Sequence, residues 1–298
     1  MDLNFIMAIL NSTIRSTTPV LMAALASAYC NHTGVFNVAL EGQMLIASFT
    51  AIAVNWYTHN TFLAVVCGIL SGGVVALLVA VLQVKFNAAD MVVGTSINLF
   101  VGAITAILLF VCFGVKGSFK SPKLIPLKSV ELPFIRDIPY ISVLLRNLTV
   151  LDYLAYIIAI MMFIYVYKTV RGCRHLSVGI KSEAAESMGI NPISVRIKAV
   201  VISGFLCGVG GTALSMGQVT LFTEGMTAGR GFIGMAACNL GRNNPVLIMA
   251  ASLFFGFCDA LGTVAQNVIP SQLTMSIPYI STIAALMLFS KKRTKKLK

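Results

Sequence analysis

Long apolar runs dominate the hydrophobic pattern of this chain, and most have the length needed to cross a bilayer. A hydrocarbon core of about 30 Å takes roughly 20 helical residues at about 1.5 Å per residue. Five runs reach that length: 39–57, 61–84, 91–115, 199–219 and 246–269. Three further runs, 17–29, 150–167 and 271–290, are shorter or more interrupted by polar residues and proline, and are also consistent with spans. The pattern predicts an all-α integral membrane protein with eight candidate transmembrane helices.

The residues before the first run have a different periodicity. Leu3, Met7, Leu10 and Ile14 follow helical spacing, and polar residues such as Arg15 lie on the other face. Such a one-sided helix is typical of a segment that lies on the membrane surface. We therefore expect an interfacial helix over 1–15, before the first span.

Composition supports the membrane assignment, and charge gives a first indication of orientation. Of the 298 residues, 57% are hydrophobic and 11% charged, and the mean hydropathy is +0.89, whereas about a quarter of residues are charged in a typical soluble domain. The net charge of +12 is concentrated in loops and in the tail "KKRTKKLK", residues 291–298. The positive-inside rule explains this charge without a nucleic-acid partner and predicts a cytoplasmic C-terminus. An anionic-lipid anchor, the alternative role of the tail, predicts the same side.

Two polar segments, 116–149 and 168–198, interrupt the apolar pattern. Each contains six Lys/Arg and two Asp/Glu, so charge alone does not orient them. The first is rich in proline, which is typical of an irregular external loop, and we expect the second to be cytoplasmic. An even number of crossings must then separate it from the C-terminus, although only three full-length runs follow. We therefore expect the short segment 228–240, "AGRGFIGMAACNL", to cross as a broken helix, which raises the count towards ten.

The cysteines and histidines do not indicate a metal site or a disulfide framework. The seven cysteines are odd in number, contain no CxxC and mostly lie inside apolar runs, which is typical of small core residues. His32, His59 and His175 are far apart without metal-ligand spacing, and we expect them in loops.

The second polar segment contains a short helix between two predicted caps. In "GIKSEAAESMGINPISVRIKAV", Ser182 is a candidate N-cap, Gly189 a candidate C-terminal residue, and Asn191-Pro192 the start of the next helix. Ala184, Ala185 and Met188 are predicted to share one face that fits a groove on another protein. The alternative is a solvated connector.

These residues carry a resemblance to a known family. Glu183, Ala184, Ala185 and Gly189 match the EAA-x3-G loop of ATP-binding cassette (ABC) importer permeases, which docks into the ATPase subunit. The stretch "GVFNVALEGQMLIASF", 34–49, resembles the early-span signature of the ribose and branched-chain amino-acid permease superfamily, closest to its nucleoside permeases, often labelled simple-sugar permeases. "NLGRNNPVLIMAASLFFGFCDALG" is similar to its later spans.

The resemblance implies a subunit of about ten helices and a set of partners. Two permease subunits, usually different chains in the nucleoside family, would pair with two ABC ATPases and an external binding protein or lipoprotein. The sequence contains no GxxxxGK[ST] phosphate loop, which agrees with ATP and Mg being used by the partner ATPase. We expect a single permease domain over 1–298 with no enzymatic activity and no cofactor of its own, in the bacterial cell membrane.

The substrate pathway is predicted from polar residues inside apolar runs. Ionisable residues in spans are expensive and are functional candidates, here Glu41 and Asp259. Phe36, Asn37, Gln43 and Asn98 offer an aromatic ring and neutral amides, which suit a nucleoside. Structural roles are the alternatives: a cap of the helix that follows for Glu41, a bond to a serine or backbone group for Asp259, and helix contacts for the amides. Other function hypotheses are a sugar or branched-chain amino-acid importer, an ion-coupled transporter, and a membrane scaffold.

Overall fold

A computed structural model describes residues 3–129 and 147–266, and this part of the chain is almost entirely helical. Its helices are α1 (Leu3–Asn31), α2 (Leu40–Thr58), α3 (Thr61–Ala80), α4 (Asp90–Phe113), α5 (Val150–Lys168), α6 (Val170–Ile180), α7 (Ser182–Ser187), α8 (Pro192–Thr212), α9 (Arg230–Leu240) and α10 (Pro245–Ala265). Helices α3 and α8 continue as π-helical turns over Val81–Lys85 and Ala213–Val219. The prediction of an all-α membrane protein is confirmed.

Five described helices are long and apolar enough to cross a membrane. They are Thr61–Lys85, Asp90–Phe113, Val150–Lys168, Pro192–Val219 and Pro245–Ala265. Four of them correspond to long predicted runs and one to the shorter run 150–167. The remaining long run, 39–57, forms α2, where Glu41, Gln43 and Asn55 lower the apolar content. The predicted span 271–290 and the tail 291–298 lie outside the described residues.

The N-terminal segment is not a separate element. Residues 1–15 and 17–29 were expected to form two helices, but Leu3–Asn31 is one continuous helix. Its first part packs on the protein: the Arg15 guanidinium donates to the carbonyls of Gly217 and Gln218, 3.3 Å each, and Gln218 Nε2 donates to Arg15 O, 2.6 Å. These contacts hold the polar face against the end of α8, so the boundary that the periodicity indicated does not exist. Its position relative to the bilayer surface stays a prediction.

Glycines allow the central helices to pack closely. Helix α1 packs against α8, α9 and α10, and α3 packs against α8. A Cβ added at Gly72 of α3 would lie 2.7 Å from Gly204 O, and one at Gly208 of α8 would lie 2.7 Å from the Ile69 Cα. Only glycine permits this approach, and the four-residue spacing of Gly68 and Gly72 on α3 and of Gly204 and Gly208 on α8 is the small-xxx-small pattern of closely packed membrane helices.

The predicted cytoplasmic loop 168–198 is mostly helical. It contains α6 in addition to the expected short helix α7, and α8 begins at Pro192, as Asn191-Pro192 indicated, seven residues before the apolar run that starts at 199. Helix α6 buries Gly172, His175 and Val178 and exposes Arg171 and Arg174. Basic residues interrupt this narrow buried stripe, so the uninterrupted apolar runs of the sequence do not indicate it.

The described parts of the predicted external loop 116–149 attach to the helix ends. Strand β1 (Ser118–Phe119) pairs antiparallel with β2 (Phe222–Thr223), which connects the end of α4 to the segment before α9. The Asn55 side chain on α2 donates to Ile125 O, 2.8 Å, and accepts from Ile125 N, 3.1 Å. Residues 130–146 lie outside the description.

Candidate functional site

Helix α7 has the predicted ends, except for its N-cap. Ser182 is the first residue of the helix, Lys181 holds the cap position, and no side chain caps the N-terminus. Gly189 has a φ of +80°, and Asn191 Oδ1 accepts a 3.1 Å hydrogen bond from Ser194 N at the start of α8. The left-handed glycine and the Asn-Pro start therefore fix where α7 ends and α8 begins, as expected.

The exposed face of α7 differs from the predicted one. Ala185 is 2% exposed, because α7 packs against α6 and α8, whereas Met188 is 83% exposed. Glu183, Ala184 and Gly189 are also exposed. The expectation that Ala185 shares an outward face with Ala184 and Met188 is wrong: adjacent helical residues point about 100° apart, and the packing of α7 on α6 and α8 covers Ala185 while Ala184 stays outward.

The α6–α7 unit is anchored to the end of α1. His175 Nε2 of α6 lies 2.9 Å from Tyr29 O, and Arg196 Nε, near the start of α8, donates to Thr33 O in the turn after α1, 3.2 Å. A Cβ at Gly179 would lie 2.2 Å from His32 O, so α6 packs directly on this segment. Burial lowers the pKa of His175, only partly offset by the hydrogen bond to Tyr29 O. His175 was expected in a loop, but it is a buried connecting residue of α6.

The segment between α1 and α2 brings three predicted pathway residues together. Phe36 N donates to Asp90 Oδ2, 3.2 Å, and Asn37 Nδ2 donates to Ser203 Oγ, 2.9 Å, and to Gln43 Oε1, 3.3 Å. Asn37 and Gln43 are fully buried, and Gln43 Nε2 has no hydrogen-bond partner. The hydrogen bonds of Phe36 N and Asn37 Nδ2 hold the segment between α4 and α8. Contact of Asn37 or Gln43 with a solute stays a prediction.

Asn98 of α4 bonds to the backbone at the start of α2. Its Oδ1 accepts from Gly42 N, 2.8 Å, and its Nδ2 donates to Val38 O, 3.0 Å. A single side chain thus satisfies a donor in the first turn of α2 and an acceptor before it. Asn98 therefore fixes where α2 begins within the bundle.

Glu41 connects α2 to the short helix α9. Its Oε1 accepts from Gly229 N, 2.8 Å, and its Oε2 accepts from Gly231 N, 2.7 Å. A carboxylate is favourable there because the free N–H groups of a helix N-terminus carry partial positive charge. The predicted capping role is present, but the helix it caps is α9 and not the helix that follows Glu41.

Asp259 of α10 forms an ion pair with the first residue of α9. Arg230 Nη2 lies 3.5 Å from Asp259 Oδ2, and both side chains are partly exposed. Arg230 Nη1 also donates to Met226 O, 3.3 Å. The expected bond of Asp259 to a serine or backbone group is replaced by this pair, which sequence spacing could not indicate because the partners are 29 residues apart.

Helix α9 has the properties of the predicted broken helix. Its 11 residues span about 16 Å, roughly half a hydrocarbon core. Its N-terminus contacts Glu41, and just beyond its C-terminus the side chain of Asn243 accepts from Asn31 Nδ2, 3.1 Å, while its carbonyl lies 2.9 Å from His32 Nε2. Helix α9 thus joins the start of α2 to the end of α1, where α6 is also anchored.

Comparisons with known proteins agree with this architecture. The chain is 33% identical to a nucleoside ABC transporter permease protein, NupC of Lactococcus lactis, over 92% of this chain and 89% of NupC. It is 30% identical to a guanosine ABC transporter permease protein, NupQ of Bacillus subtilis, over 96% and 93% of the two chains.

A solved structure supports the fold, and a family model matches most of the chain. A metal-chelate-type ABC transporter in an inward-facing conformation superposes with a TM-score of 0.55 at 12% identity, over 94% of this chain and 84% of that one. The family described as "branched-chain amino acid transport system / permease component" matches residues 9–288. The chain therefore belongs to this family and is a multi-pass membrane permease of the ABC transporter class.

Proposed function

We propose that this chain is one of two permease subunits of an ATP-driven importer for nucleosides. The observation that carries the proposal is the near full-length similarity to NupC and NupQ, which are named for nucleoside and guanosine transport. The chain would form half of the translocation pathway, and a paralogous permease would form the other half.

The electrostatics around α9 support an uncharged solute. Glu41 is used by two backbone N–H groups, and Arg230 and Asp259 neutralise each other. Asn98 bonds to the backbone of the residue after Glu41, and Asn37 bonds to Gln43, so these polar side chains are neutral amides. A zwitterionic amino acid would call for opposed free charges, which this arrangement does not favour. The unpartnered Nε2 of Gln43 is the amide group left to bond a solute when the surrounding segment opens.

The exposed part of α7 is the proposed contact with the ATPase. Glu183, Ala184, Met188 and Gly189 are outward-facing, and the buried Ala185 supports them from below. ATP and Mg would bind the partner ATPase, and this chain would be neither an enzyme nor a cofactor-binding protein. An external binding protein or lipoprotein would deliver the solute.

Cysteine labelling tests the proposed orientation, in which α7 and the C-terminus are cytoplasmic. In a cysteine-free background, single cysteines at Ser187 and Lys296 should be shielded from an impermeant maleimide in intact cells, and one at Lys123 should react. Reaction at Ser187 from outside would contradict the assignment of α7 to the ATPase.

Uptake by the assembled complex tests the substrate. Reconstituted with both permeases, the ATPase and the binding protein, the complex should import labelled guanosine only when ATP is supplied, without competition from leucine. Competition by leucine or glucose and by no nucleoside would move the assignment to an amino-acid or sugar importer. Uptake by the lone chain driven by a proton or sodium gradient would indicate a secondary transporter instead.

A further inference from the structure

An apolar groove of about 540 Å³ runs along α5 where this helix faces α1 and α8. Its walls are aliphatic and thioether side chains: Ile158, Met161, Met162 and Ile164 on α5, and Ile202 and Leu206 on α8. Three residues with hydroxyl groups, Tyr29, Tyr165 and Thr169, complete the lining. Two of them lie in the last turn of α5 and just after it, so the polar end of the groove faces α6.

The groove has the dimensions of a lipid tail. From Ile158 to Thr169, α5 and its cap rise by about 16 Å, which is about half of a 30 Å hydrocarbon core, the depth of one leaflet. Helix α5 is long and apolar enough to span a membrane, and Met161 and Ile164 are about half exposed. The groove therefore opens towards the surface that α5 presents to its apolar surroundings.

Three exposed basic residues stand next to the polar end of this groove in the sequence. Lys168 precedes Thr169, and Arg171 and Arg174 follow it on the exposed face of α6. Within residues 3–129 and 147–266, none of these three side chains has a hydrogen bond or an ion pair. No acidic residue occurs between Asp152 and Glu183, so the cations have no negative neighbour along this stretch of chain.

We propose that the groove binds an anionic phospholipid, with one acyl chain between α5 and α8 and the headgroup phosphate at Lys168, Arg171 and Arg174. The acyl chain would cover the apolar walls of the groove. The phosphate would accept charge-assisted hydrogen bonds from the guanidinium groups of Arg171 and Arg174. An apolar groove with three unpaired basic side chains next to its polar end is complementary to a molecule with a hydrocarbon chain and a negative headgroup. A free phosphate would leave the groove empty, and a zwitterionic lipid would add a positive group beside the arginines.

The proposed site lies beside the α6–α7 unit. The bound headgroup would contact α6, whose buried face holds the end of α1 through His175 and Gly179. The lipid would therefore fix the position of α6 from the membrane side. This role does not depend on which solute the permease transports.

Photocrosslinking tests the site in the assembled transporter. Benzoylphenylalanine replaces Ile164 in the groove or, as a control, Leu70 of α3, which is similarly exposed and has no cation nearby in the chain. The complexes are placed in nanodiscs of equal phosphatidylglycerol and phosphatidylcholine, and lipid adducts are counted by mass spectrometry. We expect an excess of phosphatidylglycerol adducts of about fivefold or more at 164, since one basic residue near an anionic surface contributes about that factor, and a ratio near one at 70.

A second variant separates the headgroup from the groove. Replacing all three cations, Lys168→Gln with Arg171→Gln and Arg174→Gln, keeps a polar surface there and should bring the ratio at 164 close to one, while Lys120→Gln, just after β1, should not change it. Equal ratios at 164 and 70, an excess that survives the triple substitution, or adducts to protein instead of lipid at 164 would each overturn the proposal.

Discussion

Gly231 N donates a 2.7 Å hydrogen bond to Glu41 Oε2, and this contact joins the short helix α9 to the first turn of α2. A Cβ at position 231 would lie 2.7 Å from both the Glu41 nitrogen and Oε2. The close approach requires a glycine at one partner and a carboxylate at the other. The pair therefore determines how the half-length helix is held in the bundle.

The first prediction concerns the glycine. Gly231→Ala should push α9 away from α2 because backbone atoms cannot yield as a flexible side chain does, and it should reduce ATP-dependent uptake at least about tenfold while lowering the midpoint of thermal unfolding. Gly102→Ala is the matched control, since a Cβ there has nothing within 4 Å. Equal uptake by the two variants would show that the contact between α2 and α9 is not needed for transport.

The second prediction concerns the charge on Glu41. Glu41→Gln replaces one acceptor oxygen by a donor that faces a backbone N–H, so one hydrogen bond is lost and the other loses its charge. We expect a destabilisation of about 1.5–3 kcal/mol, measured by denaturant or thermal unfolding of the complex. Glu224→Gln removes a carboxylate that accepts from Gly117 N, 2.8 Å, at the exposed β1–β2 connection, and should cost much less. A similar cost for both variants would argue against a special role of Glu41.

The third prediction concerns the proposed contact with the ATPase. Ala184→Trp adds a large ring to the exposed face of α7 without disturbing its packing, so membrane insertion should be normal and substrate-stimulated ATPase activity should fall at least about tenfold. Ala185→Trp, in contrast, overfills a buried position and should also destabilise the α6–α7 unit. Lys120→Trp in the predicted external loop controls for a surface tryptophan. Unchanged ATPase activity with Ala184→Trp would leave α7 as a solvated connector.

Much of the fold follows from the length of the apolar runs, and the exceptions have physical causes. The runs at 61–84 and 91–115 correspond closely to α3 and α4, because a span needs about 20 apolar residues whatever its neighbours are. Helix α6 does not follow from the apolar runs, because its buried side is only Gly172, His175 and Val178, with basic residues between them.

The candidate site was less predictable than the spans, because partners distant in sequence define it. A capping role for Glu41 follows from the general preference of carboxylates for helix N-termini, but the helix it caps is 188 residues further along the chain. The inward position of Ala185 likewise depends on α6, which the pattern did not reveal. Local chemistry thus indicated that these residues matter, and tertiary packing determined what each one contacts.

The fourth prediction concerns the ion pair between Arg230 and Asp259. Arg230→Gln or Asp259→Asn alone leaves one charge without its partner. Each single substitution should therefore reduce the rate of uptake. In the double variant neither charge remains, so the combined loss should be smaller than the sum, by about 0.5–3 kcal/mol in a double-mutant cycle on uptake rates. Additive losses would mean that the 3.5 Å pair carries no functional coupling.

The last prediction concerns pH and the anchor of α6. Burial lowers the pKa of His175 below its ordinary value near 6.5, so the folded protein binds fewer protons at this residue than the unfolded chain does. The contribution of His175 to the free energy of unfolding is therefore complete above about pH 6.5. It declines as the pH falls below that value, until the folded-state pKa is reached. Unfolding midpoints of the purified complex between pH 7.5 and 5 should fall more steeply for the native protein than for His175→Gln, whose amide can still donate to Tyr29 O but does not titrate. His59→Gln, at an exposed position, should keep the native profile. If His175→Gln and the native protein show parallel profiles, the titration of His175 does not control the attachment of α6 to α1.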